Sequence, residues 1–134
     1  MFSEEIKDFI DRSPMAFVAS ADQAGTPHLA AARNLRVLDD DHLVFENWFC
    51  PTTLANVTRN RRLAVAIATP DATVGFQFLG TVSEALDTAI LDGYLPGGEA
   101  PGFPQSLTRL VIRVETVLPF VAGVHADGAG DRRE

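Results

Sequence analysis

Hydrophobic positions change their period several times along this chain, and each change marks an element. Ile6, Phe9 and Ile10 recur at helical spacing behind Ser3, Glu4 and Glu5. This predicts an N-terminal helix capped by Ser3, with acidic residues in the first turn where they suit the helix dipole. Pro14 disfavours helical backbone at the residue before it and stops the helix at Ser13 or earlier. Residues 15–20 (MAFVAS) are a short apolar run ending in a turn over residues 21–26, with Asp22 and Gly25 as turn formers, which reads as a strand and a hairpin. Residues 27–38 (PHLAAARNLRVL) predict one long strand: Ala30, Ala31 and Ala32 favour helix by propensity, but the flanking turns and the alternation at Leu35 and Val37 favour strand. Asp39, Asp40 and Asp41 form the next turn, and residues 42–47 a third strand.

The chain then leaves the core through Glu46 and Asn47, crosses a short loop and starts a helix near Thr52 and Thr53, which Arg59 and Asn60 end. Residues 63–69 (LAVAIAT) alternate cleanly, Leu63, Val65 and Ile67 against Ala64, Ala66 and Ala68. A strand face made only of small side chains lets a helix, a partner subunit or a ring lie close against it. After a turn at Pro70 and Asp71, residues 74–86 predict a long strand with a bulge or bend at Gly80. A short helix capped by Asp87 is expected over residues 87–94, then an irregular loop over residues 95–105, whose three Pro and three Gly exclude regular structure. Residues 107–117 resume strict alternation and close the sheet, and the tail from residue 123 onward, without an apolar anchor, is expected to be disordered. The expected fold class is mainly β with helical additions: six antiparallel strands in a small barrel, with two or three short helices, as a single domain over residues 1–122.

Composition narrows the function classes. At 134 residues with 46% hydrophobic and 22% charged positions, the chain has the size and balance of one globular domain. A net charge of -7 repels nucleic acid and anionic membrane surfaces, so neither is an expected partner. No run approaches the roughly 20 apolar residues of a membrane span. The N-terminus is acidic and amphipathic, unlike a signal peptide. The lone Cys50 forms no internal disulfide, which suits a reducing cytoplasm, the expected location. Basic residues are nevertheless concentrated: Arg33, Arg36, Arg59, Arg61 and Arg62 make five of the eleven.

Conventional catalytic constellations are missing. His28, His42 and His125 are scattered, no Cys or His pair has metal-ligand spacing, and the acidic triplet lacks the glycine and distal glutamate of a calcium loop, so it reads as a solvated turn. The stretch from residue 43 to 60 (LVFENWFCPTTLANVTRN) is more suggestive. A strand, loop and helix N-terminus present unpaired N–H groups and partial positive charge, which suit a phosphate. Capping of a surface helix by Thr52 or Thr53 accounts for the same residues. Redox or transfer chemistry in such a chain would need a bound cofactor.

Taken in order, several segments resemble the FMN-binding split-barrel family, the superfamily of pyridoxamine phosphate oxidase and small bacterial FMN-binding proteins. Residues 17–20 followed by 25–29 (GTPHL) resemble its first hairpin, and residues 36–38 with the Asp turn its second. Residues 43–60 resemble its phosphate segment, and residues 75–81 (GFQFLGT) the strand in which Gly-Thr follows an apolar run. The likeness covers roughly residues 5 to 117. It implies a split β-barrel, a homodimer with FMN at the subunit interface, and a role as an FMN-dependent oxidoreductase or electron carrier serving a small-molecule or protein redox partner. Carried over residue by residue, Thr52, Thr53 and Asn56 would meet the phosphate, and Glu46, Asn47 and Trp48 would line the cofactor edge. Arg33, Asn34 and Leu35 would lie beneath the flavin, with Arg33 or Arg36 supplying phosphate charge, and Gln77 would reach a flavin from the other subunit. Two positions depart from the family. Many relatives carry lysine where Thr52 stands, and Thr donates a hydrogen bond without charge. The Arg-x-His substrate motif is absent after Val117, so vitamin B6 oxidation is not expected. A flavin-free binding module, or the same groove adapted to another flavin-like or haem cofactor, are the alternative readings.

Overall fold

The computed structural model describes residues 1–91 and 105–123. Helix α1 (Glu4–Arg12) begins as its sequence dictates, with the Ser3 hydroxyl accepting from the Ile6 amide at 3.2 Å and Glu4 and Glu5 in the first turn. Its apolar stripe puts Phe9 and Ile10 into the core. Seven strands follow: β1 (Met15–Ala21), β2 (Pro27–Arg33), β3 (Arg36–Val37), β4 (His42–Trp48), β5 (Arg62–Ala68), β6 (Gly75–Leu91) and β7 (Gln105–Pro119). Helix α2 (Pro51–Arg59) lies between β4 and β5. The strands form one antiparallel sheet in the order β2-β1-β5-β6-β7-β4-β3. The sheet curls until β2 and β4 approach each other, leaving a partly open barrel.

Period-two alternation decides which side chains fill it. Ala16, Val18 and Ser20 of β1 and Leu63, Val65 and Ile67 of β5 are buried, while Phe17, Ala64 and Ala66 face outward. Phe45, Phe78, Leu110 and Ile112 complete the centre, each at 0% exposure. Edge-to-face rings lock the ends: Phe2 on Phe78 at 5.9 Å and Phe9 on Phe76 at 5.4 Å. Gly80 marks a register shift in β6, as expected, and a side chain there would collide with the Arg113 carbonyl.

The mainly β class with helical additions holds, with three corrections. The single strand expected over residues 27–38 is interrupted at Asn34, whose φ of 60° turns the chain between β2 and β3, so the described residues form seven strands where six were expected. The helix expected from Asp87 is absent as far as Leu91, because those residues continue β6 and pair with β7 out to Leu91 and Gln105. Pairing with a distant strand overrides local propensity there. Helix α2 starts at Pro51 with Cys50 at the N-cap and no side-chain cap, so neither Thr52 nor Thr53 plays the capping role. Residues 92–94 of the expected helix, most of the expected loop and the expected tail beyond Gly123 lie outside the described residues, while Gln105 opens β7. No helix among the described residues is long and apolar enough to cross a membrane.

Candidate functional site

Strand β4 loses register with β7 between Phe45 and Trp48, and the two residues in that gap, Glu46 and Asn47, are turned out of the ladder. Asn47 adopts left-handed backbone, φ 51°, a conformation whose cost is lower for Asn than for most residues. Its side-chain Oδ1 accepts from the Thr88 hydroxyl at 2.9 Å. The Glu46 carboxylate accepts from Arg109 Nε at 3.2 Å, and Arg109 Nη1 donates to Glu84 at 3.3 Å. Hydrogen bonding to Glu46 is the main reason the Arg109 pKa is raised, so this guanidinium stays charged. The half-buried Trp48 ring packs on Phe45 at 4.9 Å.

Across the barrel's opening, Arg33 ends β2 opposite Met15 of β1, and Asn34 makes the second left-handed turn. These two edges enclose a cleft of about 420 Å³, lined by Arg33 and Asn34 on one side and by Glu46, Asn47 and Trp48 on the other, with Met15 between them. Its volume lies in the range of small-molecule sites, roughly 300–1,000 Å³. A second cavity of about 520 Å³ adjoins it, sharing Asn34, Glu46 and Asn47 and adding Leu35, Arg36 and residues of α1. Arg33, Asn34, Leu35, Glu46, Asn47 and Trp48 are thus gathered around one pair of adjoining cavities. Two non-glycine residues with left-handed backbone on their shared wall match the tendency of strained backbone to cluster at functional sites. Among the described residues neither Arg33 nor Arg36 has a carboxylate within 4.0 Å.

The expected phosphate residues sit on α2 and line neither cavity. Thr52 is exposed on the first turn. Thr53 is 1% exposed, and its hydroxyl has no hydrogen-bond partner. Asn56 is also buried and donates to the Ser20 hydroxyl at 3.0 Å, which ties α2 to β1. With Pro51 at its start, no side-chain cap and no acidic residue in the first turn, α2 presents an uncompensated positive end.

Gln77 lies elsewhere, on the outer face of the sheet, in a groove of about 310 Å³ that it shares with Phe17, Leu29, Ala64, Ala66 and Phe120. Leu29 is 66% exposed, and Phe17 and Phe120 are each 38% exposed, so this face is apolar and uncovered within one chain. Two other groups stand apart from the cleft. Burial pushes the Cys50 thiol up to about 12, which keeps it protonated and unreactive near neutrality. The Asp turn is drawn together by His42, whose Nδ1 lies 2.8 Å from both Asp39 and Asp41, with the three ligand atoms within 4.8 Å of one another.

Sequence reasoning missed Met15, Thr88, Glu84 and Arg109. Arg109 and Thr88 reach Glu46 and Asn47 only because β7 pairs with both β4 and β6, and no local pattern signals that.

The profile of a family described as Pyridoxamine 5'-phosphate oxidase matches residues 2–117. No curated protein matches the sequence. Among solved structures, HupZ from Group A Streptococcus is similar with a TM-score of 0.70 at 23% identity, over 94% of this chain and 99% of that one. An FMN-binding protein from Syntrophomonas wolfei gives 0.60 at 16% identity, over 84% and 82%. HutZ, described as the heme storage protein from Vibrio cholerae, gives 0.53 at 12% identity, over 90% and 96%. At such identities these likenesses speak for the fold.

Proposed function

The chain belongs to the pyridoxamine 5'-phosphate oxidase family, and from that membership we propose that it is a flavoprotein that binds FMN and works as an oxidoreductase or electron carrier. The observation that carries this reading is the buried, unpartnered Thr53 hydroxyl at the uncapped N-terminus of α2. A buried polar atom without a partner is costly, and a phosphate accepting its hydrogen bond removes that cost. Thr53 lines neither cavity, so a phosphate at the α2 N-terminus meets its hydroxyl once that side chain turns outward toward the first-turn amides. Thr53 and the first-turn amides of α2 would donate to the phosphate, Thr52 would add a hydroxyl where relatives carry an ammonium, and Arg33 supplies charge uncommitted to any carboxylate among the described residues. Trp48 and Met15 offer the ring an apolar wall, while Asn34, Glu46 and Asn47 offer its polar edge hydrogen-bonding groups. When bound, FMN supplies acceptance and release of hydride or electrons. The protein's part is to bind and orient the ring and to exclude water from it.

A second copy of the chain fits the same reading. The sheet face carrying Phe17, Leu29, Ala64, Ala66 and Phe120 is apolar and uncovered, and its alanines permit close approach. Seating a partner there would put Gln77 at the subunit interface. The test is the absorption spectrum of the purified protein followed by titration with FMN. A flavin spectrum, or saturable binding of added FMN, supports the reading; a colourless protein that fails to bind FMN refutes it. A haem cofactor in the same groove is the second reading, favoured by the uncharged residue at position 52 and by the likeness to HutZ. A Soret band on reconstitution with haemin, without flavin binding, would select it.

A further inference from the structure

The cavity adjoining the cleft has chemistry of its own. Its lining includes the ridge it shares with the cleft, Asn34, Glu46 and Asn47, together with Asp11 and Ser13 at the end of α1 and Arg36 of β3. Asp11 and Arg36 carry opposite charges and line one cavity of about 520 Å³, yet they do not close on each other within 4.0 Å, and neither pairs with another charge among the described residues. Two opposite charges that line one cavity without a partner among the described residues match a molecule that carries both signs itself.

Contacts around the two charges fix the elements that carry them. The Ser13 hydroxyl is spent on the Phe9 carbonyl at 2.6 Å, which fixes the end of α1, and Ile10 beside Asp11 is buried in the core at 1% exposure. On the ridge, Arg109 donates to Glu46 at 3.2 Å and Thr88 to Asn47 at 2.9 Å, so both side chains are already engaged. Arg36 leaves a strand that pairs with β4 at Val44, and that pairing sets its distance from α1.

We propose that this cavity is the subsite of the second reactant, a small zwitterion whose ammonium group meets Asp11 and whose carboxylate meets Arg36, set against the ridge that also borders the cofactor cleft. Its role as a reactant rests on the flavin reading above; its ability to bind the zwitterion does not. Because both charges are solvent-accessible, each contact is worth only a few-fold in affinity, so two are needed for selection.

The experiment is an NMR titration of the full-length, uniformly ¹⁵N-labelled chain, with and without FMN. The probes are glycine, β-alanine and γ-aminobutyrate, with n-butylamine and butyrate as single-charge controls. At least one amino acid is expected to shift the amides of Asp11, Asn34, Leu35 and Arg36 at concentrations where the controls do not. Asp11→Asn and Arg36→Gln are each expected to weaken that binding by about threefold to fivefold, and Asp11→Asn to leave FMN affinity unchanged. Controls that bind as well as the amino acids, shifts that map elsewhere, or affinity unchanged in both variants would overturn the proposal. Probe binding without FMN binding would support the subsite while refuting the cofactor reading.

Discussion

Replacing Thr53 by valine separates two consequences of one buried hydroxyl. Valine has nearly the same shape, so the substitution exchanges an O–H for a methyl group and leaves α2 packed as before. In the protein without ligand this hydroxyl is 1% exposed and makes no hydrogen bond. A buried unsatisfied polar group costs about 1–3 kcal/mol, so Thr53→Val should stabilise the ligand-free chain by about 1 kcal/mol. In a chain of this size that raises Tm by about 3–5 °C. If FMN phosphate accepts from this hydroxyl, the same substitution removes a charge-assisted hydrogen bond and should weaken FMN binding by about 1–3 kcal/mol, or roughly fivefold to a hundredfold in Kd. The assay is paired: thermal unfolding without FMN, and quenching of FMN fluorescence on titration with protein. The two effects have opposite signs, which general damage to the fold cannot imitate. A lower Tm without FMN would mean the hydroxyl is satisfied after all, and unchanged affinity would reject Thr53 as a phosphate ligand.

Arg109 bridges Glu46 and Glu84 at 3.2 and 3.3 Å, so Arg109→Leu leaves two carboxylates facing each other. Because these groups are partly exposed, we expect a modestly lower urea midpoint, partly restored by adding Glu84→Gln; no restoration would place the cost in packing instead. Hydrogen bonding to His42 holds the Asp39 carboxyl below its ordinary value of 3.8. A depressed carboxyl contributes stability that is present above its unfolded pKa and lost as pH falls through the lower folded value. Asp39→Asn should therefore flatten the acid limb of stability below about pH 4, as read by denaturant unfolding at a series of pH values, and an unaltered limb would count against the bond. Arginine at Ala66 places a charge in the centre of the outer apolar face. Sedimentation equilibrium should then report a monomer with an unchanged circular dichroism spectrum, whereas persistent dimer would move the interface elsewhere.

Some of this protein was legible from side-chain pattern alone. The stripe of Ile6, Phe9 and Ile10 behind Ser3, the strict alternation of Leu63, Val65 and Ile67, and the bend at Gly80 all lie where the pattern puts them, because each depends on neighbours within a few residues. Arg33, Asn34, Glu46, Asn47 and Trp48 of the cleft were also named as site residues, but only through their likeness to a family. What local pattern could not reveal was everything set by partners far away in the chain. Asn34 splits a promising strand in two, and Asp87 continues β6 in place of a helix because β7 offers it a ladder. Arg109 reaches Glu46 across 63 positions, and Thr88 reaches Asn47 across 41. The chain by itself determined the class of fold and the faces of its elements, since burial periodicity and turn chemistry are local properties. Only the closing of the sheet decided which charged groups share the cleft, which hydroxyl was left buried without a partner, and which face of the sheet stands uncovered, because those depend on non-local pairing that no short window of sequence contains.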